Sequence, residues 1–230
     1  MTGKTKKLII IGTGEFAQIA YEYFTYDSEY SIEGFSVEKE YVQEEVLLGK
    51  PVVPFETIEH RFSPDDYEVF VAITYPKLNR IRTRIYRQCK EKGYCCASYI
   101  SSRAFVWHNV KIGENTFIFE DNTIQHFAEI GDNVILWSGN HIGHRSVIGD
   151  NCWLTSHVVI SGFCRVGKSC FIGVNSSVGD NVTIADDVVL GAGSVTVKDL
   201  SQKGMVYVGS PAKECGRTSY EQFNVKENEI

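Results

Sequence analysis

Between Val110 and Asp199 the apolar positions recur every six residues. Ile112, Ile118, Ile124, Ile130, Leu136, Ile142, Ile148, Leu154, Ile160, Val166, Ile172, Val178, Ile184 and Leu190 mark the period without a gap. Two residues before many of them stands a small side chain, such as Ala128, Cys152, Cys164, Cys170 or Ser176. The residue after is often Gly. A period of six suits neither an isolated helix nor a hairpin sheet, and an unbroken run sets aside a β-sandwich with chance spacing. It predicts a solenoid of short parallel strands, a parallel β-helix of hexapeptide repeats. Side chains alternate along a strand, so the aliphatic residue and the small one two before it share the inward face. Gly or Asn is expected at the corners, where the backbone must turn.

The pattern before the repeats is different. Residues 6–11 form a β-branched run, read as a buried strand. Gly12-Thr13-Gly14-Glu15-Phe16-Ala17 follows at once, then helical spacing to residue 26. Strand, G-x-G-x-x-A, helix is the Rossmann-type order in which glycines admit a phosphate to the backbone and to the helix N-terminus. Gly12, Thr13, Gly14, Glu15 and Phe16 are therefore candidate nucleotide-binding residues. Residues 30–37 predict a second strand, whose end offers only Glu38 as a ribose-binding acid. Residues 67–73 and 94–101 read as further strands, and 77–92 as a basic amphipathic helix whose arginines form a solvated face. This α/β half spans residues 1–101, the β-helix 102–213, and 214–230 a polar tail. The first is too short for a whole dinucleotide site but long enough for one nucleotide.

Composition narrows the picture. The 230 residues carry 29 acidic and 23 basic side chains, net −6, and the basic ones form no long cluster, so nucleic acid is not an expected partner. Seven cysteines without a C-x-x-C fit a reducing cytoplasm. No apolar run reaches membrane-spanning length, and no signal-peptide core is visible at the start.

A Gly-rich βαβ half, an unbroken hexapeptide solenoid and the closing Val208-Gly209-Ser210-Pro211-Ala212-Lys213 together resemble one family. It is the bacterial nucleotide-sugar acyltransferases with left-handed β-helices, which include the N-acetyltransferases of bacillosamine and perosamine synthesis and the sialic acid O-acetyltransferase group. The resemblance covers residues 6–213. It implies three hexads per 18-residue coil, a left-handed winding, a homotrimer with active sites between subunits, acetyl-CoA as cosubstrate, and a nucleotide-linked amino sugar (UDP- or dTDP-linked) as acceptor for surface-glycan synthesis. No metal is expected.

Five of six histidines fall in or beside the repeats. Given an 18-residue coil, His108, His126 and His144 stack in one column, with Gly162 next. His144 meets the family rule for the general base, two residues after a hexad aliphatic. Relatives often have Glu next, where this chain has Arg145; Asp132, Asp150 and Glu120 are the candidates for the missing acceptor. An imidazole suits proton acceptance from an attacking amine. His141 and Arg145 are candidate substrate contacts. The resemblance assigns Gly162 to a backbone amide at the thioester, Ala192 and Gly193 to the pantetheine, and Lys213 to the CoA phosphates. His126 and His108 are expected as ladder residues, and Trp137 and Trp153 as packing for a subunit interface.

Three other readings fit parts of the chain. O-acetylation uses the same fold. A zinc enzyme of the γ-carbonic-anhydrase kind shares the solenoid and its histidines, and stoichiometric zinc in the purified protein would favour it. A non-catalytic scaffold would bind CoA without turning it over.

Overall fold

The computed structural model describes residues 4–229. Two compact units emerge: one runs to Thr74 and resumes over Ile81–Tyr99, the other comprises Tyr75–Arg80 and everything from Ile100.

In the first unit, β1 (Lys6–Ile11) and β2 (Tyr30–Val37) form with the residues the apolar runs predict. With β3 (Val46–Leu47), β4 (Lys50–Pro54) and β5 (Glu68–Val71) they make a sheet in the order β3-β4-β2-β1-β5. All pairs are parallel except β3 with β4. Leu8, Ile9 and Ile10 are fully buried, so β1 is the centre of this unit's core. Helix α1 (Glu15–Tyr26) buries Phe16, Ala17, Ala20 and Phe24. Residues 94–101 give only a short strand (Tyr99–Ile100) and a bridge from Cys96 to Val69.

The helix expected over 77–92 is α2 (Arg80–Glu91), three residues shorter at its start. Lys77, Leu78 and Asn79 adopt consecutive left-handed conformations (φ 54°, 48° and 65°), which costs roughly 1–2 kcal/mol per residue and bars them from a right-handed helix. The turn they make belongs to the second unit. Leu78 is buried against Val189 and Val206, Tyr75 meets Trp153 edge-on at 5.1 Å, and Arg80 Nη2 donates to Asp187 Oδ1 at 2.7 Å.

The second unit is the solenoid. Each hexad contributes a two-residue strand, and each strand pairs in parallel with the one 18 residues on, as Thr123 with His141 and His141 with Val159. Three faces result. The first runs from Phe105–Val106 to Val195–Thr196, the second from Lys111–Ile112 to Thr183–Ile184, the third from Phe117–Ile118 to Val189–Leu190. The aliphatic column fills the interior as expected, with every member from Ile118 to Leu190 buried, together with Ala128, Cys152, Cys164, Cys170 and Ser176.

Asn or Gly stands at many corners, as expected, but not at the position next to the aliphatic residue. The left-handed residue is not the Gly after the aliphatic one but the residue two further on: Asn115, Asp121, Phe127, Asn133 and onward at every sixth position to Gly193. The preceding glycines serve close stacking instead. A Cβ on Gly131 would lie 2.5 Å from Asp150 Oδ1, and one on Gly173 the same distance from the Ala192 nitrogen. At the corner from second to third face, Asn115, Asn133 and Asn151 form an amide ladder with 2.8 Å rungs.

Residues 214–229, expected as a polar tail, carry regular structure. Strand Lys213–Thr218 pairs antiparallel with Met205–Val208, and α3 (Ser219–Gln222) starts on a capping box of Thr218 and Glu221. Phe223 packs on Phe171. Trp153 is likewise internal, 1% exposed beneath Tyr75, and so is not interface packing. Trp137 stacks on Phe119 at 4.4 Å. Among the described residues no helix is long and apolar enough to cross a membrane.

Candidate active site

His144 sits where the first face turns into the second, half-buried. Its backbone N–H donates to Gln125 Oε1 at 3.0 Å, and its Nδ1 lies 3.2 Å from the same oxygen. The backbone donor fixes which end of the Gln125 amide faces the ring. That end accepts only, so Nδ1 must carry the proton and Nε2 presents a lone pair. The acceptor is thus Gln125. Asp132, Asp150 and Glu120 are not at the ring: Asp132 accepts from the Glu114 amide, Asp150 from the Asp132 amide and Lys168, and Glu120 from Ser138. Gln125 lies one coil below and one residue before His144, a signal readable only once the coil length is known.

The imidazole stacks parallel to His126 (5.5 Å, 18°) and meets Phe163 edge-on at 5.0 Å. Parallel rings in a file do not converge on a point, as tetrahedral zinc ligands must. Among the described residues no three His, Cys, Asp or Glu side chains are grouped to hold a metal. Gly162 is directly above. A Cβ there would be 2.5 Å from His144 Cε1 and 2.9 Å from Nε2, so the missing side chain makes room for the imidazole itself. The Gly162 amide, assigned by resemblance to the thioester, donates to Asp180 Oδ1 at 2.8 Å and is already engaged.

In the first unit, a cavity of about 440 Å³ opens at Gly12, Thr13 and Gly14. Gly12 has φ +125°, and a Cβ on it would come 2.8 Å from the Ala72 carbonyl oxygen, so only glycine fits. Gly14 is different: a Cβ there would meet nothing within 4 Å, so its openness leaves access to the start of α1. Glu15 is exposed, while Phe16 lines the cavity with a ring buried against Phe70. The opposite wall holds Glu38, gripped by Arg84 through two hydrogen bonds (2.8 and 3.0 Å). Arg84 is on the helix read from sequence as a solvated face; the fold turns this arginine into the pocket. The volume suits one nucleotide rather than two.

Comparisons with known proteins cover both units. Residues 109–144, 127–162 and 163–198 match the bacterial transferase hexapeptide (six repeats) family, and residues 7–89 match the PglD N-terminal domain family. The perosamine N-acetyltransferase PerB of Caulobacter crescentus, solved with CoA and GDP-perosamine, is 27% identical, with a TM-score of 0.80 over 91% of this chain and 97% of that one. The acetyltransferase domain of PglB from Neisseria gonorrhoeae is 25% identical, with a TM-score of 0.80 over 91% of this chain and all (100%) of that chain. WeeI from Acinetobacter baumannii shares the fold, with a TM-score of 0.70 at 18% identity over 91% of this chain and 100% of that one. The chain belongs to the left-handed β-helix nucleotide-sugar acyltransferases. The two-domain order and the full-length match decide this, since the solenoid alone would fit many hexapeptide transferases.

Within this acyltransferase, the single chain does not gather every candidate residue. His144, Gly162 and Arg145 share the corner between first and second faces. Ala192 and Gly193 are exposed at the corner between third and first faces, and Lys213 is exposed on the outermost strand of the third. His141 projects from the first face between Thr123 and Val159, with no side-chain hydrogen bond among the described residues. Arg145 has φ +58° and lays its guanidinium 4.4 Å over the Phe127 ring.

Proposed function

We propose that this acyltransferase moves an acetyl group from acetyl-CoA to the amine of a nucleotide-linked amino-deoxy sugar, with His144 as general base. One observation carries the assignment of the base. Gln125 holds Nδ1–H, so Nε2 keeps a free lone pair with which to take a proton. The amine attacks the thioester carbonyl carbon. As the C–N bond forms, Nε2 takes the proton that the nitrogen must lose; as the C–S bond breaks, that proton passes to the departing thiolate. Gln125 holds the ring in one tautomer throughout, the part a carboxylate plays in other sites.

Support for the acceptor class comes from PerB, whose structure holds GDP-perosamine, and from the Gly12–Gly14 pocket, sized for one nucleotide. That relative broadens the expectation of UDP or dTDP to include GDP. Support for the homotrimer comes from the surface. Phe105, Trp107 and Val159 are 39–53% exposed on the first face, an apolar strip that a second copy would cover. Such packing would also bring Ala192 and Gly193 of one protomer toward His144 of another, which a single chain does not do.

His144→Ala tests the base. It should lower kcat by roughly 10²–10⁴-fold with little change in either KM. A near-normal rate would remove His144 from that role and leave positioning alone to account for turnover.

A further inference from the structure

A second concavity, of about 580 Å³, opens beside His144 along the second face. Its rim is the column Phe127, Arg145, Phe163, all left-handed (φ 61°, 58° and 58°). Away from this corner, the same turn position holds Asn, Asp, Ser, Gly or His. Bulky residues in that conformation are uncommon and are retained where the surroundings require them. The Arg145 guanidinium sits over the Phe127 ring, 4.4 Å from its centroid, a contact that restrains it. Arg165 lines the same groove. Neither arginine has a carboxylate partner among the described residues, while the groove's one acid, Glu129, is held by Lys111 at 2.9 Å. Two guanidinium charges are therefore uncompensated in a chain of net charge −6. Phe163 both lines the groove and meets the His144 ring, so a single side chain lies between groove and imidazole.

We propose that this groove seats the anionic group of the acyl acceptor, gripped by Arg145 and Arg165 while the amine lies at His144. The proposal rests on the acyl-transfer reading of His144. A nucleotide-linked sugar carries a phosphate one glycosidic bond from its ring, so an amine held at Nε2 brings anionic oxygens into the adjoining groove. An acidic sugar would place a carboxylate there instead. The phosphates of CoA are the competing occupant, which the KM of acetyl-CoA distinguishes. Guanidinium edges pair with two oxygens at once, which positions as well as binds. Arg145 thus has a different task from the Glu often found after the base: Gln125 orients the imidazole, and Arg145 holds the substrate.

The test is steady-state kinetics of wild type, Arg145→Ala, Arg165→Ala, the double variant and Arg145→Lys, with melting curves to confirm folding. Each alanine should raise the KM of the nucleotide-linked amino sugar roughly 10- to 100-fold and leave that of acetyl-CoA within about twofold. Arg145→Lys, which keeps charge without the fork, should fall between. Sensitivity that persists with a neutral nucleotide-linked sugar assigns the groove to the diphosphate; sensitivity confined to acidic sugars assigns it to their carboxylate. An unchanged acceptor KM in the double variant overturns the proposal, as does a rise in acetyl-CoA KM alone or a loss of assembly with KM preserved. If wild type transfers to no acceptor, the acyl-transfer reading fails separately. Calorimetry with UDP, GDP and a nucleotide-linked acidic sugar then judges the groove: equal affinities of wild type and double variant for all three refute it.

Discussion

Gly162→Ala separates the catalytic role of the imidazole from the stability of the coil. The added Cβ would lie 2.5 Å from His144 Cε1 and 2.9 Å from Nε2, closer than real carbon contacts allow. The obstructed group is the end of a side chain, so the ring swings aside rather than the backbone. Gly162 is outside the positive-φ set, so alanine meets no backbone strain and narrows the unfolded ensemble, worth about 0.4–1 kcal/mol. Pushing the imidazole off its rotamer costs about 0.5–1.5 kcal/mol. The two nearly cancel, and the melting temperature should stay within about 4 °C of wild type. Turnover should not survive. A base displaced by about 1 Å loses on the order of 10²-fold, and the ring also leaves its Gln125 partner. Release of CoA, followed with a thiol reagent, measures kcat; melting curves measure stability. Because the change acts through one residue, Gly162→Ala combined with His144→Ala should be no slower than His144→Ala alone. A stable variant with normal kcat would show that the imidazole over Gly162 is not the working base.

Gln125→Ala should lower kcat roughly tenfold, the worth of a lost orienting hydrogen bond, whereas Gln125→Glu keeps an acceptor at the ring and should retain most of the rate. Arg84→Ala should weaken UDP or GDP binding by about tenfold in calorimetry, because it leaves the Glu38 carboxylate unpaired in the wall of the Gly12–Gly14 cavity. Tyr220 is pushed up to about 12, by burial first and then by its hydrogen bond to Asp187. Its folded form favours the protonated phenol, so its contribution is complete below about pH 10 and is lost as pH rises through 12. Tyr220→Phe should melt lower than wild type at pH 8, and the gap should close between pH 10 and 12.

The solenoid was legible in the sequence because one side chain in six must be aliphatic for every coil to close on the last, and no member breaks the rule. The column of His126, His144 and Gly162 followed from the same arithmetic. What the pattern hides is whatever depends on the neighbouring coil or on a strained turn. Gln125 reads as an ordinary polar residue until the register places it under His144. The glycines after the aliphatic residues look like turn formers, yet they permit stacking, and residues as large as Phe127 and Arg145 make the turn. Residues 77–79 carry helical spacing, but burial of Leu78 and the Arg80–Asp187 pair hold them left-handed. Arg84 lies on a helix whose charge pattern suggests solvent, and only the fold directs it to the Gly12–Gly14 cavity.

The central claim is acetyl transfer to a sugar amine through His144. Incubating wild type and His144→Ala with carbonyl-¹³C acetyl-CoA and a panel of UDP-, dTDP- and GDP-linked amino sugars tests it most directly, by the appearance of a ¹³C amide signal. An amide should form with at least one acceptor, roughly 10²–10⁴-fold more slowly with the variant. An ester signal, no product with any acceptor, or equal rates from the two proteins would contradict it.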